Sequence, residues 1–420
     1  MNIQALKEQV EIQITEQHRK IGRIVEENQS KVLDAFHKLR VSDSHFNPTT
    51  GYGYDDFGRD TLEALYAEIF RAEDALVRPQ LISGTHAITT ALFGVLRPGD
   101  ELLYISGEPY DTLTEVIGTE NGTDKGSLKD FGVAYQSIPL DEQGGFSKQK
   151  IQAAVSERTK VVAVQRSKGY DNRPSFPIKK IEEIIAFVRS LKEDVIIFVD
   201  NCYGEFVETR EPLEAGADLI AGSLIKNPGG GIARIGGYIA GKENLIEQCS
   251  YRLTAPGLGK ETGASLNSLQ EMYQGIFLAP HVVGEALKGA VFTSRFLSEL
   301  GFDTNPSYDA PRTDLIQSVN FENADQMIRF CQAIQQASPV NSHVTPQPGA
   351  MPGYEDEVIM AAGTFIQGAS LELTADGPVR PPYTAYVQGG LTYAHVKTAV
   401  MKAVQGLEDE GMVKVDSEAF

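Results

Sequence analysis

The stretch "VIIFVDNCYGEF", residues 195–206, decides the fold that the sequence predicts. Its first five residues are apolar and mostly β-branched, and the run "VVAV" at 161–164 has the same character. Continuous apolar runs are typical of strands that are buried on both faces of a parallel sheet. Helical patterns such as "PIKKIEEIIAFVRSLK", residues 177–192, separate these runs, so the sequence predicts a layered α/β fold.

The length of the chain predicts more than one domain. At about 100–200 residues per domain, 420 residues correspond to two or three domains. The pattern predicts a helical N-terminal segment and loop at 1–60, a large α/β domain at 61–280 and a smaller α+β domain at 281–420. The last part is separated because its apolar runs are fewer and more amphipathic.

Charge and cysteine content make several kinds of partner poor hypotheses. The formal net charge is −19, and such an acidic surface repels nucleic acid and anionic lipid. The three cysteines are too few and too scattered for a disulfide framework or a zinc cluster, which fits a reducing cytoplasm. The N-terminus does not resemble a secretion signal, and no run of about 20 apolar residues occurs. We therefore expect a cytoplasmic protein without a metal, nucleic-acid or membrane partner.

Lys226 lies among small and apolar residues in "DLIAGSLIKNPGGGIARIGGYIAG", residues 218–241. One interpretation is a surface lysine on a glycine-rich loop. The other is a lysine that forms a Schiff base, because an amine desolvated by apolar neighbours loses part of its charge preference and becomes nucleophilic near neutral pH. Small neighbours would also leave room for a flat cofactor.

Asp200 ends the strand of the opening stretch. In open α/β folds, ligands bind at the carboxyl edge of the sheet, where such a residue lies. Asp200 could simply cap the next turn. It could equally pair with a protonated pyridine nitrogen, which makes that ring a stronger electron sink.

Two further strand ends carry polar groups. In "LISGTHAITTAL", residues 81–92, a helix is predicted to begin at Ser83-Gly84-Thr85, and helix N-termini bind phosphate; a plain helix cap is the alternative. Tyr110 follows another buried strand, where it could fill a gap or stack on a cofactor ring for about 0.5–1.5 kcal/mol. A phosphate site, an aromatic ring, a carboxylate and a lysine together describe a site for pyridoxal 5′-phosphate.

At these residues the sequence resembles the fold-type I pyridoxal phosphate-dependent enzymes, which share the aspartate aminotransferase-like fold. Within that class it is most similar to the cystathionine and methionine γ-lyases, and especially to the branch often called the methionine γ-lyase family or aluminium resistance protein. The most specific segments are "GYGYDDFGRDTLE", "SGTHAITTAL", "VDNCYGEF" and "AGSLIKNPGGGIARIGGYIAG". The resemblance covers nearly the whole chain.

The resemblance implies roles for individual residues. Lys226 would carry the cofactor covalently, Asp200 would pair with the ring nitrogen, and Tyr110 would stack on the ring and act in acid–base steps. The cofactor phosphate would be bound by groups at two turns: Ser83, Gly84, Thr85 and Ser223.

The resemblance also implies a homotetramer built from dimers that share active sites. The loop "GYGYDDFGRD" would reach the partner's cofactor or substrate, with these candidates: Tyr52, Tyr54 and Arg59. Arg380 would bind the carboxylate of a small amino-acid substrate, and Asn172 and Arg173 would face the cofactor or the substrate. The better-known lyases carry Tyr-x-Arg in the first loop and Thr before the lysine, whereas this chain has Tyr52-Gly53-Tyr54 and Ile225. These departures bear on the substrate more than on the cofactor.

The implied activity is a carbon–sulfur lyase that acts on a sulfur-containing amino acid by α,β- or α,γ-elimination. The same groups would also serve an aldolase or an aminotransferase, because the choice depends on which substrate bond lies perpendicular to the ring. A low-turnover pyridoxal phosphate-binding stress protein is a further alternative. A dinucleotide-binding site is disfavoured, because "GGGIARIGG" at 229–237 leads into a strand instead of opening a helix.

Overall fold

The computed structural model forms two compact units. It describes residues 2–50, 52, 55–118, 125–171, 173–351, 354, 356–368 and 370–414. One unit comprises Asn28–Leu278, and the other comprises Met1–Glu27 together with Ala279–Phe420. The N-terminal residues are therefore shared between the two units.

In the first unit, strands and helices alternate along the chain for most of its length. In the second unit they do not follow a regular alternation. The described strands are β1 Asp74–Arg78, β2 Glu101–Tyr104, β3 Ala134–Ser137, β4 Thr159–Gln165, β5 Ile196–Asp200, β6 Leu219–Ser223, β7 Gly237–Gly241, β8 Asp303–Asn305, β9 Gln317–Asn320, β10 Val358–Ala361, β11 Thr374–Pro378 and β12 Thr384–Gln388. The described helices are α1 Ile3–Gln13, α2 Thr15–Lys38, α3 Phe57–Phe70, α4 Gly84–Val95, α5 Asp111–Ile117, α6 Lys148–Ala154, α7 Ile178–Leu191, α8 Glu243–Leu253, α9 Leu269–Ser298, α10 Ala324–Gln336 and α11 Tyr393–Asp409.

The sheet of the first unit is mostly parallel, as the sequence predicts. Within the described residues it has 7 strands in the order β1-β7-β6-β5-β4-β2-β3. The neighbours β2, β3, β4, β5 and β6 pair in parallel, and β7 runs antiparallel between β6 and β1. The carboxyl ends of β4, β5 and β6 therefore meet at one edge of the sheet.

Both faces of this sheet are covered. Every residue of β2, β5, β6 and β7 is buried, which is why their sequences are apolar without alternation. One face packs against apolar side chains of α4 and α8. Burial of each large side chain there contributes about 1.5–3 kcal/mol, so the sheet is a rigid base for the groups at its edge.

The second unit contains an antiparallel sheet in the order β10-β11-β12-β9-β8. Helices α10 and α11 pack on each other in the same unit, which gives the α+β texture expected near the C-terminus. Among the described helices, α9 is long and apolar enough to cross a membrane by length and composition, but 72% of its most apolar window is buried inside the protein, as in a core helix.

Candidate active site

Polar side chains collect at the carboxyl edge of the first sheet, in agreement with the sequence prediction. The register places Gln165 of β4 beside Asp200 of β5, and Asp200 beside Ala221 of β6. Strand β6 ends at Ser223, and the chain then turns through Lys226. Adjacent strand ends thus bring Asp200 and the lysine turn together.

Asp200 is buried with two cations within electrostatic reach, Lys226 and Arg173. Its Oδ1 accepts a hydrogen bond from the backbone N–H of Cys202 at 3.1 Å, and only 4% of the residue is exposed. Burial raises the pKa of Asp200, while the positive charge of Lys226 and the hydrogen bonds from Cys202 partly oppose that rise. A positive charge placed beside this carboxyl group would therefore stabilise its ionised form.

Lys226 lies beside an aromatic ring in the turn after β6. Its Nζ lies 4.1 Å from the ring centroid of Tyr203. Burial acts to lower the pKa of Lys226, but the negative charges that Cys202, Tyr203 and Asp200 can carry raise it above its ordinary value. Burial thus favours the neutral amine and the carboxylate of Asp200 favours the ammonium group, and the expected weakening of the charge preference of Lys226 stays a prediction.

Tyr203 holds an unusual backbone conformation beside this lysine. Its φ is 67°, and Phe206 in the same loop has a φ of 62°. Bulky residues rarely adopt positive φ, and such conformations persist only where the surrounding structure enforces them. No local sequence pattern marks a tyrosine that must enter the left-handed region, so the position of Tyr203 beside Lys226 could not be predicted.

The N-terminus of α4 forms the predicted phosphate end of the site. A Cβ added to Gly84 would lie 3.1 Å from Ser223 Cβ and 3.4 Å from Cys202 Sγ, so this helix start touches the ends of β5 and β6. The hydroxyl of Ser223 is buried and has no hydrogen-bond partner among the described residues. Ser83 is the N-cap, and its Oγ accepts from the N–H of His86 at 3.0 Å.

Tyr110 joins the same group of residues. Its hydroxyl donates to Thr85 Oγ1 at 2.9 Å, and its backbone N–H donates to Gln165 Oε1 at 2.9 Å. Burial and the charge of Asp200 raise the pKa of Tyr110, so its hydroxyl keeps its proton at neutral pH. The structure thus brings together the predicted residues of the main site: Lys226, Asp200, Gly84, Thr85, Ser223 and Tyr110.

Arg173 lies near this group, and its guanidinium contacts residues close to it in sequence. Its Nη2 donates to the carbonyl of Gln165 at 3.1 Å, and its guanidinium lies 5.1 Å from the ring centroid of Phe176. Its charge also lowers the pKa of Asp200. Asn172, predicted beside it, lies outside the described residues.

The other predicted residues are not brought to Lys226 by any described contact. Arg59 is 3% exposed, and its guanidinium donates to Asp60 at 3.0 Å and to the carbonyl of Glu261 at 3.3 Å. Tyr52 is 88% exposed, whereas Tyr54 lies outside the described residues. Their proposed roles at a partner's site stay predictions.

Arg380 belongs to the second unit. There its Nη1 forms an ion pair with Asp356 Oδ2 at 2.9 Å, and more than half of its side chain is exposed. Its role as the carboxylate-binding arginine also stays a prediction.

Several buried polar residues of the site region escaped the sequence analysis. Glu205, Glu211 and Arg166 are buried next to the loop after β5. The signal was present, because "DNCYGEFVE" places charged residues directly after a buried strand. Their partners, such as Tyr238, come from distant strands and could not be read from that segment.

The fold and this site define the class: the protein has the fold of the fold-type I pyridoxal phosphate-dependent enzymes. It belongs to the methionine gamma-lyase family, whose characteristic sequence matches residues 3–408. Methionine gamma-lyases depend on pyridoxal phosphate, which supports the predicted cofactor.

Individual relatives agree with this assignment. The chain is 63% identical over 405 residues to the uncharacterized protein YnbB of Bacillus subtilis, with 96% of each chain covered. A solved structure from Listeria monocytogenes, named as a candidate cystathionine beta-lyase involved in aluminum resistance, has 63% identity and a TM-score of 0.94, covering 96% of this chain and 99% of that one. A carbon-sulfur lyase involved in aluminum resistance from Clostridium novyi has 49% identity and a TM-score of 0.92, covering 96% and 95%.

Proposed function

We propose that this protein is a pyridoxal phosphate-dependent carbon–sulfur lyase acting on a sulfur-containing amino acid. The observation that carries the proposal is the convergence of Lys226, Asp200 and the unpartnered hydroxyl of Ser223 at one edge of the sheet. Membership of the methionine gamma-lyase family and the names of the similar solved structures support the same reaction class.

The residues present fit the cofactor. The buried hydroxyl of Ser223 has no partner within the described part of the chain, as expected for a group that binds an anion, and it lies against the N-terminus of α4. Gly84 and Thr85 would offer backbone N–H groups to the phosphate. Asp200 would pair with the ring nitrogen, and Lys226 would bind the aldehyde carbon.

When bound, pyridoxal phosphate supplies an electron sink for the α-carbon of the amino acid. The chain supplies the proton transfers. Lys226 Nζ, freed when the amino group of the substrate takes its place, would take the α-proton, and the carboxylate of Asp200 would keep the ring nitrogen protonated. Tyr110 Oη is protonated at neutral pH and donates toward the leaving sulfur. Acid–base groups of this kind contribute about 10²–10⁴-fold each.

The test is a product analysis on the purified protein supplied with pyridoxal phosphate. L-Methionine, L-cystathionine, L-homocysteine and L-cysteine are incubated separately, and ammonia, thiol and 2-oxo acid are measured. We expect a thiol or sulfide together with ammonia, with pyruvate reporting β-elimination and 2-oxobutanoate reporting γ-elimination. Lys226→Ala is the matched control and should form none of these products.

Three outcomes would reject the lyase. Glycine plus an aldehyde would identify an aldolase, and transfer of the amino group to an oxo acid without free ammonia would identify an aminotransferase. If no amino acid of a broad panel changes the absorbance of the bound cofactor, the low-turnover binding protein replaces the enzyme.

We further propose that the protein acts in the cytoplasm as a homotetramer of dimers with shared active sites. Large apolar side chains of the first unit are exposed in the single chain, which supports a covered surface: Tyr52, Phe57, Ile82 and Leu266. Light scattering coupled to size-exclusion chromatography should give four times the chain mass of 45.8 kDa. A monomeric mass would overturn this assembly.

A further inference from the structure

Glu205 is a carboxyl group buried beside the lysine turn, and none of the residues that the structure describes forms an ion pair with it. It has no solvent exposure, and its Oε1 accepts from the hydroxyl of Tyr238 at 2.8 Å. Its Oε2 is buried and has no hydrogen-bond partner among the described residues. The backbone N–H of Glu205 also acts on this carboxyl group, but burial makes its charged form costly, so this environment favours the uncharged acid.

Glu211, six residues further along the same loop, shows the opposite arrangement. Its carboxylate accepts from Asn201 Nδ2 at 3.0 Å and from the backbone N–H of Phe206 at 2.9 Å, and it pairs with Arg166 at 3.4 Å. Arg166 donates its remaining Nη2 to Glu208 at 2.8 Å. Both terminal nitrogens of Arg166 are thus used by other groups, and the loop's own cation, Arg210, pairs with Glu182.

The carboxyl group of Glu205 packs directly under the strand that leads to Lys226. A Cβ added to Gly222 of β6 would lie 2.6 Å from Glu205 Oε1, so only glycine fits there. The turn itself is tied to the same residue, because Asn227 Nδ2 donates to the carbonyl of Glu205 at 2.9 Å. Glu205 is thus fixed relative to the backbone that carries the lysine.

The titratable groups that face Glu205 come from four elements of the first unit. They are Cys202 and Glu211 on its own loop, Tyr238 on β7, Tyr66 on α3 and Lys226 on the turn after β6. Only Lys226 is a cation. Burial raises the pKa of Glu205 to about 8, Glu211 adds to the rise, and the hydrogen bond from Tyr238 and the charge of Lys226 oppose it.

We propose that Glu205 is a positioning residue for Lys226, uncharged while the lysine nitrogen is neutral and ionised when that nitrogen carries a proton. An ionised Glu205 raises the proton affinity of the lysine nitrogen, and a neutral one leaves it unchanged. Because the backbone holds Glu205 and Lys226 at a fixed separation, the protonation of one changes the proton affinity of the other. The inference rests on the proposed function, since it assumes that Lys226 holds the cofactor.

The first test is an absorbance titration of the holoprotein with pH, comparing wild type with Glu205→Gln. Glutamine has the shape of the neutral acid and cannot ionise, so the fold should be kept. We expect the pH midpoint of the lysine-bound cofactor band to fall in the variant, with a loss of about tenfold or more in proton affinity. Glu182→Gln removes an equal charge from an exposed side chain of α7 and should leave the midpoint unchanged.

The second measurement follows thermal unfolding of the same proteins between about pH 5 and 9. A folded-state pKa above the unfolded value gives stability that is complete at low pH and is lost as the pH rises through about 8. Wild type should therefore lose more stability than Glu205→Gln over this range. Parallel curves for the two proteins would overturn an uncharged Glu205, even if the cofactor band were absent.

The two hypotheses fail differently. A wild-type protein without a lysine-bound cofactor band would contradict the proposed function. A normal band whose midpoint is the same in wild type and Glu205→Gln would contradict the role of Glu205 alone.

Discussion

Two buried charged groups of the first unit differ in how completely their polar atoms are satisfied. Arg78 donates to Glu63 Oε1 at 2.6 Å and Oε2 at 3.3 Å, and its other N–H groups reach the carbonyls of Lys260 and Thr262. Both partners are at most 2% exposed. Around Lys226, by contrast, unpartnered polar atoms remain among the described residues, on Ser223, Asn227 and Glu205.

The number of unpartnered polar atoms distinguishes a buried group that stabilises the fold from one that binds a ligand. A buried ion pair with all its hydrogen bonds formed holds segments of the chain together and needs no ligand. Buried polar atoms without partners destabilise the unliganded chain unless a ligand supplies the missing bonds. We therefore expect changes at Arg78 to alter stability and changes around Lys226 to alter cofactor binding and reaction.

The largest effect should come from Lys226→Ala. Removing the amine eliminates both the covalent link to the cofactor and the base, so we expect turnover to fall by more than about 10²–10⁴-fold and the lysine-bound absorbance band to disappear. Absorbance spectroscopy and product assays measure the two losses, and far-UV circular dichroism checks the fold. A variant that keeps the band would remove Lys226 from the centre of the site.

A large effect on stability alone should follow Arg78→Met. The variant leaves the buried Glu63 with Lys260 at 3.6 Å as its remaining cation, so we expect a loss of up to about 3–5 kcal/mol. Urea denaturation without cofactor measures the loss, and the cofactor band of the folded protein should be unchanged. The double variant Arg78→Met/Glu63→Gln should regain much of the stability. If the single variant instead lost the cofactor band at full stability, the contrast between the two groups would be wrong.

A smaller effect is expected for Asp200→Asn on the charge of Lys226. Asp200 carries the permanent negative charge nearest to the ammonium group at neutral pH, since thiols and phenols keep their protons there. Its removal should lower the pKa of Lys226, which increases the neutral amine at pH 8 by about tenfold. Reductive methylation of the cofactor-free protein followed by NMR titration reports this pKa. An unchanged value would show that Asp200 does not compensate the lysine.

The smallest effects should distinguish two serines at the phosphate end. Ser223→Ala removes an unsatisfied hydroxyl, so the unliganded chain should keep its stability while cofactor affinity falls by about 1–2 kcal/mol. Ser83→Ala removes a helix cap and should cost about 1 kcal/mol of stability. Urea denaturation of both variants measures stability, and titration with pyridoxal phosphate measures cofactor affinity. Equal loss of stability in the two variants would contradict the assignment.

The sequence predicted the part of the site that lies at the ends of buried strands. Continuous apolar runs locate β4 and β5, and a polar residue that ends such a run must lie at the sheet edge, as Asp200 does. The turn that carries Lys226 lies at the same edge because it directly follows β6, a parallel neighbour of β5.

Other features could not be predicted because they depend on distant packing. Arg59 is buried and donates to the carbonyl of Glu261, about 200 residues away. The local loop sequence predicts an exposed arginine that reaches a partner subunit, because it carries no information about this distant contact. The hydroxyl that Glu205 accepts from belongs to Tyr238, 33 residues away on β7. The charge of Asp200 likewise acts on Lys226 across two strand ends, and sequence neighbours do not reveal this interaction.

The antiparallel course of β7 has a consequence for how the site is assembled during folding. Ser223 pairs with Gly237 and Leu219 pairs with Gly241, so the lysine turn is closed by two strands that are adjacent both in sequence and in space. The preceding connection between β5 and β6 is also local, and closing such short segments costs little chain entropy. Carboxylate and amine are therefore carried by one contiguous piece of chain, and neighbouring strand pairs set their relative geometry. Helix α4, which packs against the end of β6, must instead be recruited from far earlier in the polypeptide.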